Sequence, residues 1–109
     1  MGRLLSTCAY AGQPPQDLTI QLYQVPPGRR ACVTVCATNA NVSGGNASLT
    51  LWVVASGAAQ AVLEPAVAFP LKAVLTREGV LLSESQAVLA RRGGPDALDV
   101  AVFVLEEDA

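Results

Sequence analysis

The 109 residues contain no histidine. That absence removes both the commonest general base and the commonest metal ligand. Aromatic residues are few, with two Phe, two Tyr and one Trp, so an exposed aromatic platform for a ligand is hard to assemble. Charged residues make up only 15 %, against roughly 25 % in an average soluble domain. The formal charge is −2 and the basic residues are scattered, which leaves no stripe for nucleic acid or an anionic membrane. Three cysteines, Cys8, Cys32 and Cys36, are present without a CxxC pair, so zinc spacing is missing. No apolar run reaches the ~20 residues that a bilayer span requires. The longest candidate, LTLWVVASGAAQAVL, is broken by Ser56, Gly57 and Gln60 and closed by Glu64 and Pro65. Leu-Leu-Ser-Thr before Cys8 invites a lipoprotein reading, but a signal h-region of about 7–15 apolar residues does not fit there.

What is abundant is small and apolar. Apolar residues reach 51 %, more than one small domain hides easily inside its own surface. One domain of this size is therefore expected to bury part of its outside against copies of itself or a larger assembly. A homo-oligomer is the natural form.

Periodicity points to strands. Leu18, Ile20 and Leu22 alternate with Thr19, Gln21 and Tyr23, a half-buried strand stopped by Val25-Pro-Pro-Gly28. Residues 30–38 repeat the pattern, with Val33, Val35 and Ala37 on one face and Cys32, Thr34 and Cys36 on the other. Residues four apart on a strand lie ~13 Å apart, beyond the ~7 Å a disulfide tolerates between Cα atoms. Cys32 and Cys36 are thus excluded as mutual partners, and free thiols acting as small core residues are the plain expectation.

Residues 39–46, NANVSGGN, have turn chemistry and hold two glycosylation triplets, at Asn41 and Asn46. Residues 47–55 are apolar on both sides, which predicts a central strand covered on both faces. Residues 56–70 carry Pro65 and Pro70 and read as an irregular connection with a short strand near Val67. A strand over 71–77, a tight turn, a short element over 79–82, a strand over 86–92 and a last strand over 97–105 follow. The tail Glu106-Glu-Asp108 reads as solvated. Residues 1–16, with Gly12, Pro14 and Pro15, show no sustained period and predict an N-terminal arm ahead of a domain over 17–109. The fold class is a single antiparallel β-sandwich, Ig-like or jelly-roll-like, of six to eight strands with an extended N-terminal arm.

Catalytic constellations are missing. No histidine stands beside any serine, no G-x-S-x-G occurs, and neither Gly44-Gly45 nor Gly93-Gly94 leads a helix with a lysine. Asp96 and Asp99 flank a turn, the usual place for such residues. Trp52 and Tyr23 could line a groove, although strand aromatics more often pack a core. Arg29 and Arg30 could reach a partner's carboxylates. No enzyme activity, cofactor or metal is expected.

The stretch LYQVPPGRRACVTVCATN resembles small all-β virion structural proteins of tailed bacteriophages. The residues that carry the likeness are Leu22-Tyr23, Val25-Pro26-Pro27-Gly28, Arg30 and the valine-rich strand from Val33 to Asn39. Gly79-Val80-Leu81-Leu82-Ser83 and a valine-rich final strand extend it. Cys36-Ala-Thr-Asn39 and Val104-Leu105-Glu106 depart from the family's cysteine-asparagine turn and terminal glycine-x-glutamate. The resemblance implies a non-enzymatic capsid decoration or cement protein, located in the virion and assembled in the host cytoplasm. Its partners would be the major capsid protein or other virion proteins, with neither nucleic acid nor membrane. A neck or tail accessory protein and a ligand-binding β-sandwich module are the alternatives. The contact residues expected on this reading are Cys8, Tyr10, Gln13, Pro26, Arg29 and Arg30, with Cys8 a candidate for an intermolecular disulfide.

Overall fold

The computed structural model describes residues 5–41, 47–54 and 60–108. Residues 42–46, which include Val42 and Ser43 of the first glycosylation triplet and Asn46 of the second, and residues 55–59 lie outside the described part. Eight strands occur among the described residues: β1 (Leu5–Gly12), β2 (Thr19–Gln24), β3 (Arg29–Thr38), β4 (Ser48–Val54), β5 (Gln60–Ala68), β6 (Val74–Leu82), β7 (Ala87–Gly93) and β8 (Asp99–Asp108). They form two four-stranded sheets, β1-β8-β3-β6 and β2-β7-β4-β5, hereafter sheets A and B. All pairings between the named strands are antiparallel. The chain alternates between the sheets except at the β4–β5 step, and this strand order is that of a jelly roll. The β-sandwich expected from alternation is therefore present, and strand order selects the jelly-roll form.

Alternation decides which side of each strand is wet. Val33, Val35 and Ala37 of β3 and Val100, Val102 and Val104 of β8 are buried, facing Leu22, Leu49, Leu51, Val88 and Ala90 from sheet B. Each fully buried Val or Leu contributes roughly 1.5–3 kcal/mol relative to exposure. Pro26-Pro27-Gly28-Arg29 makes the β2–β3 turn, with the Arg29 N–H donating to the Pro26 carbonyl at 3.3 Å. Gly28 takes φ +75° at the third position, the left-handed geometry that a type II turn reserves for glycine.

Four expectations are corrected. Residues 5–12 are not an arm: they form β1, paired along β8 from Leu5 opposite Glu106 to Gly12 opposite Val100. Residues 60–68 are a continuous strand, β5, rather than an irregular connection. Pro65 is tolerated because β5 is an edge strand, where a missing N–H costs no ladder bond. The tight turn expected near Gly79 is a bulge inside β6, since Val80 lies opposite Val33 and Arg77 opposite Val35. Two residues, Glu78 and Gly79, thus face one, and Gly79 supplies φ +71°. Finally, Glu106, Glu107 and Asp108 belong to β8 instead of a solvated tail. β4 is central as expected, but only Leu49 and Leu51 of its inner side are fully buried; Val53 beside them, and Thr50, Trp52 and Val54 on the outer side, are half-buried.

Polar groups anchor the ends of the sandwich. Asn39 is fully buried, and its Nδ2 donates to the Phe69 carbonyl at 2.9 Å. Asn41 Nδ2 donates to Asn39 Oδ1 at 2.7 Å and to the Ala97 carbonyl at 2.8 Å. The buried Arg92 donates from Nε to the Pro14 carbonyl and from Nη1 to the carbonyls of Gly94 and Asp96. These bonds satisfy groups that would otherwise cost about 1–3 kcal/mol each.

Candidate functional site

Sheet A turns an apolar face outwards. Because opposed residues of neighbouring strands point to the same side, its outer surface can be read as rows across the strands. One row runs Leu81, Cys32, Leu105 and Ser6 across β6, β3, β8 and β1. The next outward row is Thr34, Phe103 and Cys8, and a third is Thr76, Cys36, Ala101 and Ala11. Leu81 is 78 % exposed, Phe103 48 % and Leu105 45 %. Beside them lies an open groove of about 350 Å³, lined by Cys32, Leu81, Leu105 and the Arg30–Glu107 pair among others.

A charged corner stands at this end of the sandwich, with Arg30 and Glu107 on the outer side and Arg29, Glu106 and Asp108 on the alternate, inner side towards Tyr23 of sheet B. Arg29 Nε stands 3.7 Å from Glu106 Oε1 and Nη1 3.4 Å from Asp108 Oδ1. The buried Nη1 has no hydrogen-bond partner, so its attraction to Asp108 is Coulombic rather than directional. Tyr23 Oη donates to Glu106 Oε2 at 2.5 Å. Burial first, then this bond and the Glu106 charge, push the Tyr23 phenol well above its ordinary range, with Arg29 opposing them. Arg30 Nε pairs with Glu107 Oε1 at the edge of the groove.

Of the contact residues expected from sequence, Pro26, Arg29 and Arg30 gather at this corner. Cys8 lies on the outer face of sheet A, opposite Phe103. Tyr10 is half-buried and packs against the core. Gln13 lies at the other end, donating from Nε2 to Asp99 Oδ1 at 2.9 Å. Cys8 is exposed and Cys32 and Cys36 are half-buried, all three as free thiols. Cys32 and Cys36 share the outer face and stand outside the core, a correction to their expected role as core residues. Among the described residues no cluster of His, Cys, Asp and Glu could hold a metal ion.

Sequence reasoning overlooked Leu81, Phe103, Leu105 and the three acidic residues that partner Tyr23 and the arginines. A signal for the first group existed, because the outward set of β8 is apolar in its middle (Ala101, Phe103, Leu105). Sheet B offers a more mixed outer surface. Its row Val62, Trp52, Leu89 and Gln21 keeps Trp52 half-buried, and Arg91 lies 4.0 Å from Asp17 beside it.

No protein-family model matches the chain, and no curated protein sequence matches it. The fold does have solved counterparts. A chain in the structure of infectious bursal disease virus, Gx strain, superposes with a TM-score of 0.55 at 8 % identity, over 98 % of this chain and 32 % of that one. The Gt strain of the same virus gives 0.50 at 9 % identity, over 98 % and 33 %. The present chain therefore spans about a third of the length of these viral chains. Identities this low make the likeness one of fold.

Proposed function

We propose that this chain is a non-enzymatic structural component of a virion, a capsid decoration protein that binds between subunits of an assembled shell. The observation that carries the reading is the strand order, β1-β8-β3-β6 over β2-β7-β4-β5, a jelly roll that superposes on chains of a virus over nearly its whole length. Jelly rolls serve in capsids and also in lectins and other proteins, so fold alone is an analogy. The tailed-phage assignment rests on Leu22-Tyr23, Val25-Pro-Pro-Gly28 and Arg30.

The mechanism is linkage. A protein with affinity for the assembled shell and none for its dissociated subunits stabilises the shell, by about 2.7 kcal/mol per site at a hundredfold excess over Kd. The test is co-sedimentation with undecorated shells of the major capsid protein. Saturable binding at fixed stoichiometry, with a raised shell melting temperature, is expected. A protein that stays in the supernatant at every ratio refutes the decoration role. The groove of about 350 Å³ favours one second reading, a ligand-binding sandwich, because small-molecule sites begin near 300 Å³. That reading requires a soluble ligand that raises the melting temperature of the isolated protein.

A further inference from the structure

Four of the seven large apolar side chains exposed among the described residues, Val74, Leu81, Phe103 and Leu105, lie on the outer side of sheet A. Across β3, β8 and β1 its three middle rows hold no charged side chain. Charges stand at the ends, in the Arg30–Glu107 pair and at Asp99, and Glu78 marks the β6 edge beside the bulge. This is the arrangement of an interface, an apolar centre with a polar rim. From this geometry we infer that two copies of the chain pack against each other through the outer face of sheet A.

Area supports a second copy as the occupant. Four strands, the longest of 10 residues, make a face of roughly 33 by 19 Å, about 600 Å². Two such faces bury about 1,200 Å², the lower bound for a specific stable interface. The face is also self-complementary in outline. A two-fold axis lying in the interface and crossing the strands at Val33 and Val104 exchanges the Phe103 row with the Leu81–Cys32–Leu105 row. Each Phe103 then lies over the other copy's grooved row, the reciprocal contact that an isologous dimer demands. Aromatic anchors in apolar recesses are where binding energy concentrates.

The cysteines supply a built-in reporter, because Cys8, Cys32 and Cys36 all lie on this face. Interfaces near this size reach micromolar affinity or better, so the wild type should sediment as a dimer at about 100 μM. Phe103→Lys should weaken the dimer about a thousandfold, since a hot-spot loss is counted once in each copy. It should also speed alkylation of Cys32 at least about tenfold, as burial no longer shields the thiol. Val62→Lys, on the outer face of sheet B, should leave both readouts unchanged. Should circular dichroism show Phe103→Lys unfolded, Leu81→Lys at the most exposed position carries the same test. A monomeric wild type, or a dimer dispersed by Val62→Lys and untouched by the sheet A variants, overturns the inference. Neither a shell nor a virus enters its argument, so failure to bind shells leaves it intact.

Discussion

Tyr23 ties the turn between β2 and β3 to the end of β8. Its phenol donates to Glu106, which Arg29 also neutralises. The folded chain holds this proton well above the ordinary phenol range, whereas the unfolded chain releases it from about pH 10. Unfolding above that pH therefore releases a proton, and the Tyr23 contribution to stability, complete below pH 10, declines as pH rises. At neutral pH, Tyr23→Phe should cost about 1.5–3 kcal/mol, the value of a hydrogen bond to a charged acceptor. Urea unfolding should show the gap between the two proteins narrowing above pH 10; a constant gap from pH 7 to 11 would contradict the assignment. The acidity of residues 106–108 was plain in the sequence. Their partners were not, because Arg29 and Glu106 lie 77 positions apart and only the β3–β8 register joins them.

At the level of strands, legibility followed alternation. β3 and the middle of β8 have one strictly apolar side with β-branched residues, and both were readable, β3 within one residue and β8 short by the three acidic residues at its end. β5 was hidden because Ala61, Val62 and Ala66 carry no period and Pro65 argues against a strand everywhere except at a sheet edge. β1 was hidden for a related reason: Ser6, Thr7, Cys8 and Ala9 are small and indifferent, and the strand exists because β8 offers it a partner. The outer face of sheet A escaped notice because a strand's second side shows its neighbours only once strand order is known. In β6, Gly79 was recognised as a breaker, but a bulge and a turn use the same left-handed glycine. Open space surrounds the position where a Gly79 side chain would begin, so Gly79→Ala should cost about 1–2 kcal/mol through backbone strain alone. Glu78→Ala, next to it and exposed, should leave the melting temperature within a degree or so. Equal melting temperatures for the two variants would remove the bulge assignment.

Across the whole molecule, the sandwich is closed from both ends of the sequence. β1 covers one edge of β8, and Arg77 of β6 reaches Glu64 of β5 at 3.6 Å to bridge the two sheets at the opposite side. Deleting residues 1–12 should uncover the β8 edge from Val100 to Glu106, an open ladder that invites pairing with another chain. Lower thermal stability and concentration-dependent aggregation are expected from calorimetry and light scattering; an unchanged melting temperature would mean that β1 adds nothing to the fold. The β1–β8 pairing also brings the first and last described strands together. Leu5 stands opposite Glu106, so the start of β1 and the end of β8 share one corner, beside Arg29 and Arg30. A short linker would close the chain into a ring, and the ring could be reopened at the Ser83–Gln86 turn with every strand still in its place. Cargo joined ahead of β1 or after β8 would start from that one corner, which makes the sandwich a natural carrier for circular permutation and surface display.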